Sequence, residues 1–382
     1  MTSRNNGLDT LRSVAILLVL AYHYMVFVSR EPTFGWVSTL GWVGVDLFFV
    51  LSGYLISNQV FSGWVKGREL SLKNFYARRF LRTLPAFYVV LALYFLFPTV
   101  MGGREPPPLW RFLTFTQNIG LKGGTAFSHA WSLCIEEQFY VLFAAVVLIA
   151  AHLGRSIRLA WIFLAALIAT GCLARSVLWA KYGLEAFGEV NYYPTYIYYS
   201  SLCRADEFLP GIAVAMLKNF HPVLWNRLMQ WGQSLLLGGI AATAALFYLL
   251  LNHYYVEGFG YFYFMTAFGY SLIAIAFAIL VMAALSPDCM LYRWRVPGAA
   301  SLATWSYSIY LSHKPLSIIT HRILQGPGIA GASLVVAVAA VSLIGGWLLY
   351  RLVELPFLNI RDRSFPTSFT QPQRAPLVSI NS

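Results

Sequence analysis

Charge is what this sequence has least of. Only 11% of its 382 residues are Asp, Glu, Lys or Arg, while 58% are hydrophobic. A water-soluble domain carries about 25% charge, so a single soluble globule is excluded. Cysteine is scarce too. The four present, Cys134, Cys172, Cys203 and Cys289, are scattered, three of them in apolar stretches. They offer neither a metal-ligand spacing nor a disulfide framework. No small-residue cleavage site follows the first apolar run, which continues as AYHYMVF, so a retained helix rather than a signal peptide is expected there. No internal repeat suggests the duplicated halves of a transporter. Past residue 352 the remaining stretch is short, and no folded soluble domain is expected at that end.

In place of charge the chain has long apolar runs. Candidate spans of about 20 residues, the length a bilayer requires, lie near 9–28, 41–60, 83–101, 130–151, 159–180, 200–218, 231–251, 262–284, 300–320 and 331–351. The expected fold class is all-α: a polytopic transmembrane helical bundle of about ten spans over residues 1–355, with 356–382 as a short disordered cytoplasmic tail. The net charge is +12. Such an excess can mark nucleic-acid binding, but in an apolar chain it marks the cytoplasmic face, and no nucleic-acid partner is expected. Most of the 27 basic residues fall on one side if the N-terminus is cytoplasmic. They include Arg4, Arg12, the loop KGRELSLKNFYARRFLR, Arg155, Arg158, Lys218, Arg227, Arg293, Arg295, Arg351, Arg361, Arg363 and Arg374. Both termini are therefore expected inside. The opposite loops hold a proline-rich MGGREPPP and the aromatic runs VNYYPTYIYY and HYYVEGFGYFY, as suits a membrane surface.

Ionisable residues inside apolar runs are costly and so single themselves out. In LDTLRSVAILLVLAYHY, Arg12 and His23 share one helix face, roughly 16 Å apart along the axis. Arg12 is near enough to the surface to snorkel into it; His23 is too deep. Asp46 in GWVGVDLFFVLSGY, Glu136 and Glu137 in HAWSLCIEEQFY, Arg204, Asp206 and Glu207 in CRADEFLPG, and His313 in SYSIYLSHKP reach a comparable height on other helices. Converging acids and histidines suit proton transfer, although structural pairing, such as Asp46 with Arg204, accounts for single members. Nearer the basic side, Arg79 and Arg82 stand three apart at a helix entry and project together, two guanidinium forks suited to phosphate. A phosphate-gripping floor beneath a proton-handling layer has the anatomy of a coenzyme A site, with a phosphorylated nucleotide head and a long thiol-ended arm.

At these residues the sequence resembles the acyltransferase 3 family of integral-membrane O-acyltransferases. GLDTLRSVAILLVLAYHY is similar to its opening Arg-to-His signature and GVDLFFVLSGYLIS to its second-helix motif. FYARRFLRTLP resembles its Arg-x-x-Arg region, and HAWSLCIEEQFYVLF its Trp-Ser-Leu motif with paired acids. RADEFLPGIAVA, SYSIYLSHKPL and VELPF resemble later landmarks, in order. Cys134 stands where serine is more usual, and the additional helix and SGNH-type domain of many members are not expected.

The resemblance implies acyl-CoA, acetyl-CoA above all, as co-substrate, with no metal. It implies transfer to a hydroxyl of a carbohydrate, glycolipid or glycoconjugate, within the lipid bilayer of a bacterial inner membrane. The site expected on these grounds has His23, Glu137 and Asp46 for chemistry and Arg12, Arg79 and Arg82 for the CoA phosphates. Trp131, Glu136, Arg204, Glu207 and His313 are expected around the acceptor. His23 takes the acceptor's proton, with Glu137 or Asp46 orienting the ring, or carries the acyl group itself. Either route needs a polar tunnel from the arginines to His23. A sugar or lipid transporter that uses the charged layer for coupling is the alternative class.

Overall fold

The computed structural model describes residues 4–152, 156–184 and 191–370. Arg155, Arg374 and the first residue of the VNYYPTYIYY run lie outside the described residues. In chain order the long helices are α1 (Asn6–Tyr24), α2 (Val43–Val65), α3 (Leu72–Leu96), α4 (Trp131–His152), α5 (Ile157–Tyr182), α6 (Leu209–Phe220), α7 (Gly232–His253), α8 (Tyr270–Leu285), α9 (Ala299–Gln325) and α10 (Gly331–Leu349). Isolated bridges aside, the only β-structure among the described residues is a two-residue hairpin, Tyr255–Val256 against Gly260–Tyr261.

Eight of these helices, all but α6 and α9, are long and apolar enough to cross a membrane. The protein is thus a polytopic helical membrane protein. The two exceptions fall at expected spans, and each departs for a physical reason. α6 is the last piece of a broken segment, after a helical turn at Ser201–Arg204 and a 3-10 turn at Ala205–Phe208. Arg204, Asp206 and Glu207 are buried at that break, each in an ion pair. α9 carries buried His313 and Lys314 and an interior Pro315, which lower its apolar content. Both pack inside the bundle, α6 on α2 and α9 between α1 and α10. At the α2–α6 crossing, an added Cβ on Gly211 would meet the Val50 carbonyl oxygen at 2.1 Å, so only glycine allows this approach. α2 and α8 lie centrally, whereas α5, α7 and α10 form the perimeter and expose Ile162, Leu237 and Val336 where lipid tails would pack.

Two boundaries are corrected. α3 begins at Leu72, not near 83, because Ser71 caps it by accepting from the Asn74 N–H at 3.3 Å. Arg79 and Arg82, expected at a helix entry, therefore sit farther inside the helix. The segment from 356 is not a disordered tail as far as residue 370. It forms α11 (Leu355–Ser364), and Phe369 beyond it is buried. Residues 371–382 lie outside the described residues.

Candidate active site

A cavity opens among α1, α2, α3, α4 and α9 on the face carrying the basic α2–α3 loop. Its wall includes Arg12, Arg79 and Arg82, the three arginines expected to grip phosphate. Their situations differ. Arg79 Nη2 lies 3.1 Å from Glu136 Oε1, its Nε lies 3.9 Å from Glu137, and its guanidinium stacks 3.4 Å from the Tyr140 ring centre. Glu136 also accepts from Ser52 Oγ at 2.5 Å and from the Tyr140 hydroxyl. The charge of Arg79 is already matched. Arg12 and Arg82 make no hydrogen bond or ion pair among the described residues. Two guanidiniums facing one cavity without acceptors is an arrangement that an anionic group would complete.

This arrangement corrects the place of the paired acids. Glu136, in the cavity wall, and Glu137 both pair with Arg79, and neither is hydrogen-bonded to His23. Asp46 is displaced as well. Its Oδ1 lies 2.5 Å from Arg204 Nη2, and Arg204 also pairs with Glu207. All three side chains are fully buried, and the Arg204 guanidinium is ringed by Tyr270, Tyr198 and Trp131 at 4.2, 4.8 and 5.2 Å. Asp46, Trp131, Arg204 and Glu207 therefore form a closed structural ion cluster, outside the cavity wall. Beside it Arg175, which the sequence reading passed over, binds Asp206 at 2.7 Å and Ser271 at 2.6 Å.

His23, at the end of α1, finds a histidine as partner instead of an acid. Its Nδ1 lies 2.7 Å from His313 Nε2. The tautomers follow from the network. His313 Nδ1 faces the backbone carbonyls of Tyr310 at 2.7 Å and Ile309 at 3.1 Å, which only accept, so it carries the proton. With both rings neutral, His313 Nε2 must then accept from His23 Nδ1–H. The lone pair of His23 is thereby fixed on Nε2, which makes no hydrogen bond among the described residues. A base set by its partner in this way resembles the orienting step of a catalytic triad, with an imidazole in the acid's place.

A third ring completes the layer. His129, in the turn before α4, lies 5.3 Å from His313 and 6.3 Å from His23, centre to centre. Pro315 lacks an N–H, so the Leu311 carbonyl four residues earlier loses its helical donor. His129 Nε2 takes that place at 3.2 Å. Lys314 is buried beside them, its Nζ donating to the Thr125 carbonyl at 3.1 Å and to Ser128 Oγ at 3.2 Å. Neither His129 nor Lys314 was singled out in the sequence, although HAWSLC and LSHKP contain them. Among the described residues, no three His, Cys, Asp or Glu side chains are grouped to hold a metal ion.

The expected open tunnel does not run from this cavity to His23. The cavity wall ends at Ser132 and Tyr310 and does not include His23. Tyr310 donates its hydroxyl hydrogen to the His129 carbonyl at 2.6 Å and accepts from Ser132 Oγ, also at 2.6 Å. On α4 and its leading turn, Ser132 follows His129 by three residues; on α9, Tyr310 precedes His313 by three. A hydroxyl rung thus lies one turn below the imidazole rung on the same two elements.

Fold and site define a helical, membrane-embedded protein with an arginine-floored cavity aimed at buried imidazoles. The chain belongs to the acyltransferase 3 family: the family's acyltransferase domain matches residues 5–351. It is 30% identical to the peptidoglycan O-acetyltransferase OatA of Listeria monocytogenes serovar 1/2a (strain ATCC BAA-679 / EGD-e), over 95% of this chain and 57% of the relative. It is 30% identical to the putative peptidoglycan O-acetyltransferase YrhL of Bacillus subtilis (strain 168), over 94% of this chain and 56% of the relative. A shorter match, 31% identical over 38% of this chain and 25% of the relative, is to the O-acetyltransferase OatA of Staphylococcus aureus (strain NCTC 8325 / PS 47). The chain spans little more than half the length of the first two. No solved structure matches it.

Proposed function

We propose that this chain is a membrane-bound O-acyltransferase. It moves an acyl group, acetyl in the first instance, from acyl-CoA to a hydroxyl of a carbohydrate, glycolipid or glycoconjugate. It works in the bacterial cytoplasmic membrane with ten core helices and both termini inside. The observation that carries this reading is the stacking of two half-sites along α1, which holds Arg12 at one level and His23 at the other beside the rungs of α4 and α9. Unpaired Arg12 and Arg82 face an open cavity, and one rung beyond its end stands an imidazole with a fixed, unpartnered Nε2. The relatives' names make a peptidoglycan-type sugar the acceptor to try first.

The chemistry follows from these parts. The donor's phosphates rest on Arg12 and Arg82, while Arg79, neutralised by Glu136, frames the wall. The Ser132–Tyr310 rung parts to admit the thioester. His23 Nε2 removes the acceptor's hydroxyl proton, and the oxygen attacks the thioester carbonyl. The carbon–sulfur bond breaks, and the imidazolium returns its proton to the leaving sulfur. Throughout, His313 accepts from His23 Nδ1–H and keeps the ring in one tautomer.

The test uses purified full-length protein in lipid nanodiscs with labelled acetyl-CoA and soluble peptidoglycan fragments. Acceptor-dependent release of CoA, with one acetyl mass gained by the sugar, supports the proposal. Substrate flux along an ion gradient in proteoliposomes, with CoA chemistry absent, would replace it with a transporter.

A further inference from the structure

A segment beyond the 5–351 range matched by the family domain packs behind one residue of the cavity wall. α11 runs beside α3, where Arg78 donates to the Phe365 carbonyl and pairs with Asp362 at 3.5 Å. The chain then crosses to the basic loop between α2 and α3. Leu70 and Phe369 form an antiparallel bridge. The Ser71 N–H donates to the Ser368 carbonyl at 3.0 Å, and the Thr370 N–H to the Glu69 carbonyl at 2.9 Å.

Two side chains of this strap reach α2. The Phe369 ring lies on Gly63, where an added Cβ would stand 1.9 Å from a ring carbon, so glycine alone leaves room for it. Ser368, 2% exposed, accepts from Gln59 Nε2 at 2.7 Å. Gln59 is exposed and lines the same cavity as Arg12 and Arg82. One end of its amide is thus spoken for. The other, Oε1, has no hydrogen bond among the described residues and remains an acceptor in the cavity wall.

We propose that residues 365–370 complete the donor site: Phe369 seats the strap on Gly63, Ser368 holds Gln59 in the cavity wall, and Gln59 Oε1 accepts an N–H of the bound donor. The matching chemistry is a phosphorylated molecule that also carries amino or amide N–H groups, as coenzyme A does in its adenine and pantetheine arm. Ser368 is a positioning residue, since it reaches the donor only through Gln59. The inference rests on reading the cavity as the donor site.

The experiment is titration of CoA into the full chain in nanodiscs, with thermal stability measured on the same samples. Gln59→Leu removes the acceptor, and Ser368→Ala removes its anchor. Each should weaken CoA binding about five- to tenfold, the cost of one hydrogen bond. Ser368→Thr keeps the hydroxyl and should restore the affinity. Phe369→Ala should weaken binding at least as much as S368A. Arg82→Ala is the reference for the cavity itself. If R82A leaves CoA affinity unchanged, the donor-site reading falls and this inference with it. If R82A weakens binding while Q59L and S368A do not, the strap has no part in the donor site. A lowered Tm in S368A with unaltered affinity would likewise overturn the proposal.

Discussion

At the scale of single residues, the site turns on which atom of His23 bears its proton. The carbonyls of Ile309 and Tyr310 settle His313, and His313 settles His23. His313→Ala removes the acceptor for His23 Nδ1–H and frees the ring to present the wrong tautomer. Transfer should fall about 100-fold or more in kcat, with CoA affinity kept. An equal loss of affinity would show that His313 shapes the cavity instead. Asp46 makes the opposite case, because its side chain and those of Arg204 and Glu207 are fully buried. Asp46→Ala leaves Arg204 short of a partner and should cost about 3–5 kcal/mol of stability. The expected reading is a lower Tm in detergent with unchanged KM values in whatever protein folds. Sequence placed these residues at similar heights, since helix rise fixes height. It did not reveal which way each side chain turns around its helix. Arg12, His23 and His313 were therefore legible as ionisable groups in apolar helices and Arg82 as one of two arginines at a helix entry. The pairing of Asp46 with Arg204 was named as the structural alternative, whereas that of Glu136 and Glu137 with Arg79 was not legible. His129 escaped notice because it stands at the border of a loop, where a histidine costs little.

At the scale of elements, α9 does the most specialised work. Its Pro315 frees the Leu311 carbonyl for His129, and the same helix supplies Tyr310, His313 and Lys314. Pro315→Ala restores the helical N–H, so His129 must compete for that carbonyl. The expected outcome is a folded protein with turnover reduced about tenfold, since small misplacements of reacting groups are costly. Unchanged turnover would show that the proline only bends the helix. The spans made of plain apolar sequence were readable from length and hydropathy. The segment at 200–218 was not, because its buried ion pairs break the helix into pieces that length alone cannot foretell. The strap after 355 was also missed. Its sequence is polar and short, and its order comes from Gly63, Leu70 and Gln59, far away in the chain.

At the scale of the whole molecule, one face is basic and carries the cavity mouth, and the other holds aromatic loops. The charge bias predicts that the basic face is cytoplasmic. Arg68→Cys should then escape an impermeant thiol reagent in intact cells, and Glu257→Cys should react; both positions are exposed, and three of the four native cysteines are buried. The reverse pattern would invert the proposed entry of the donor. The central claim is that the arginine-floored cavity binds the donor and His23 performs the transfer, as separable tasks of one site. Its most direct test compares Arg82→Ala and His23→Ala for equilibrium CoA binding and single-turnover acetyl transfer in nanodiscs. The account predicts that R82A loses binding, while H23A binds CoA like the parent protein and transfers no acetyl group. Transfer by H23A at the parent rate would contradict it.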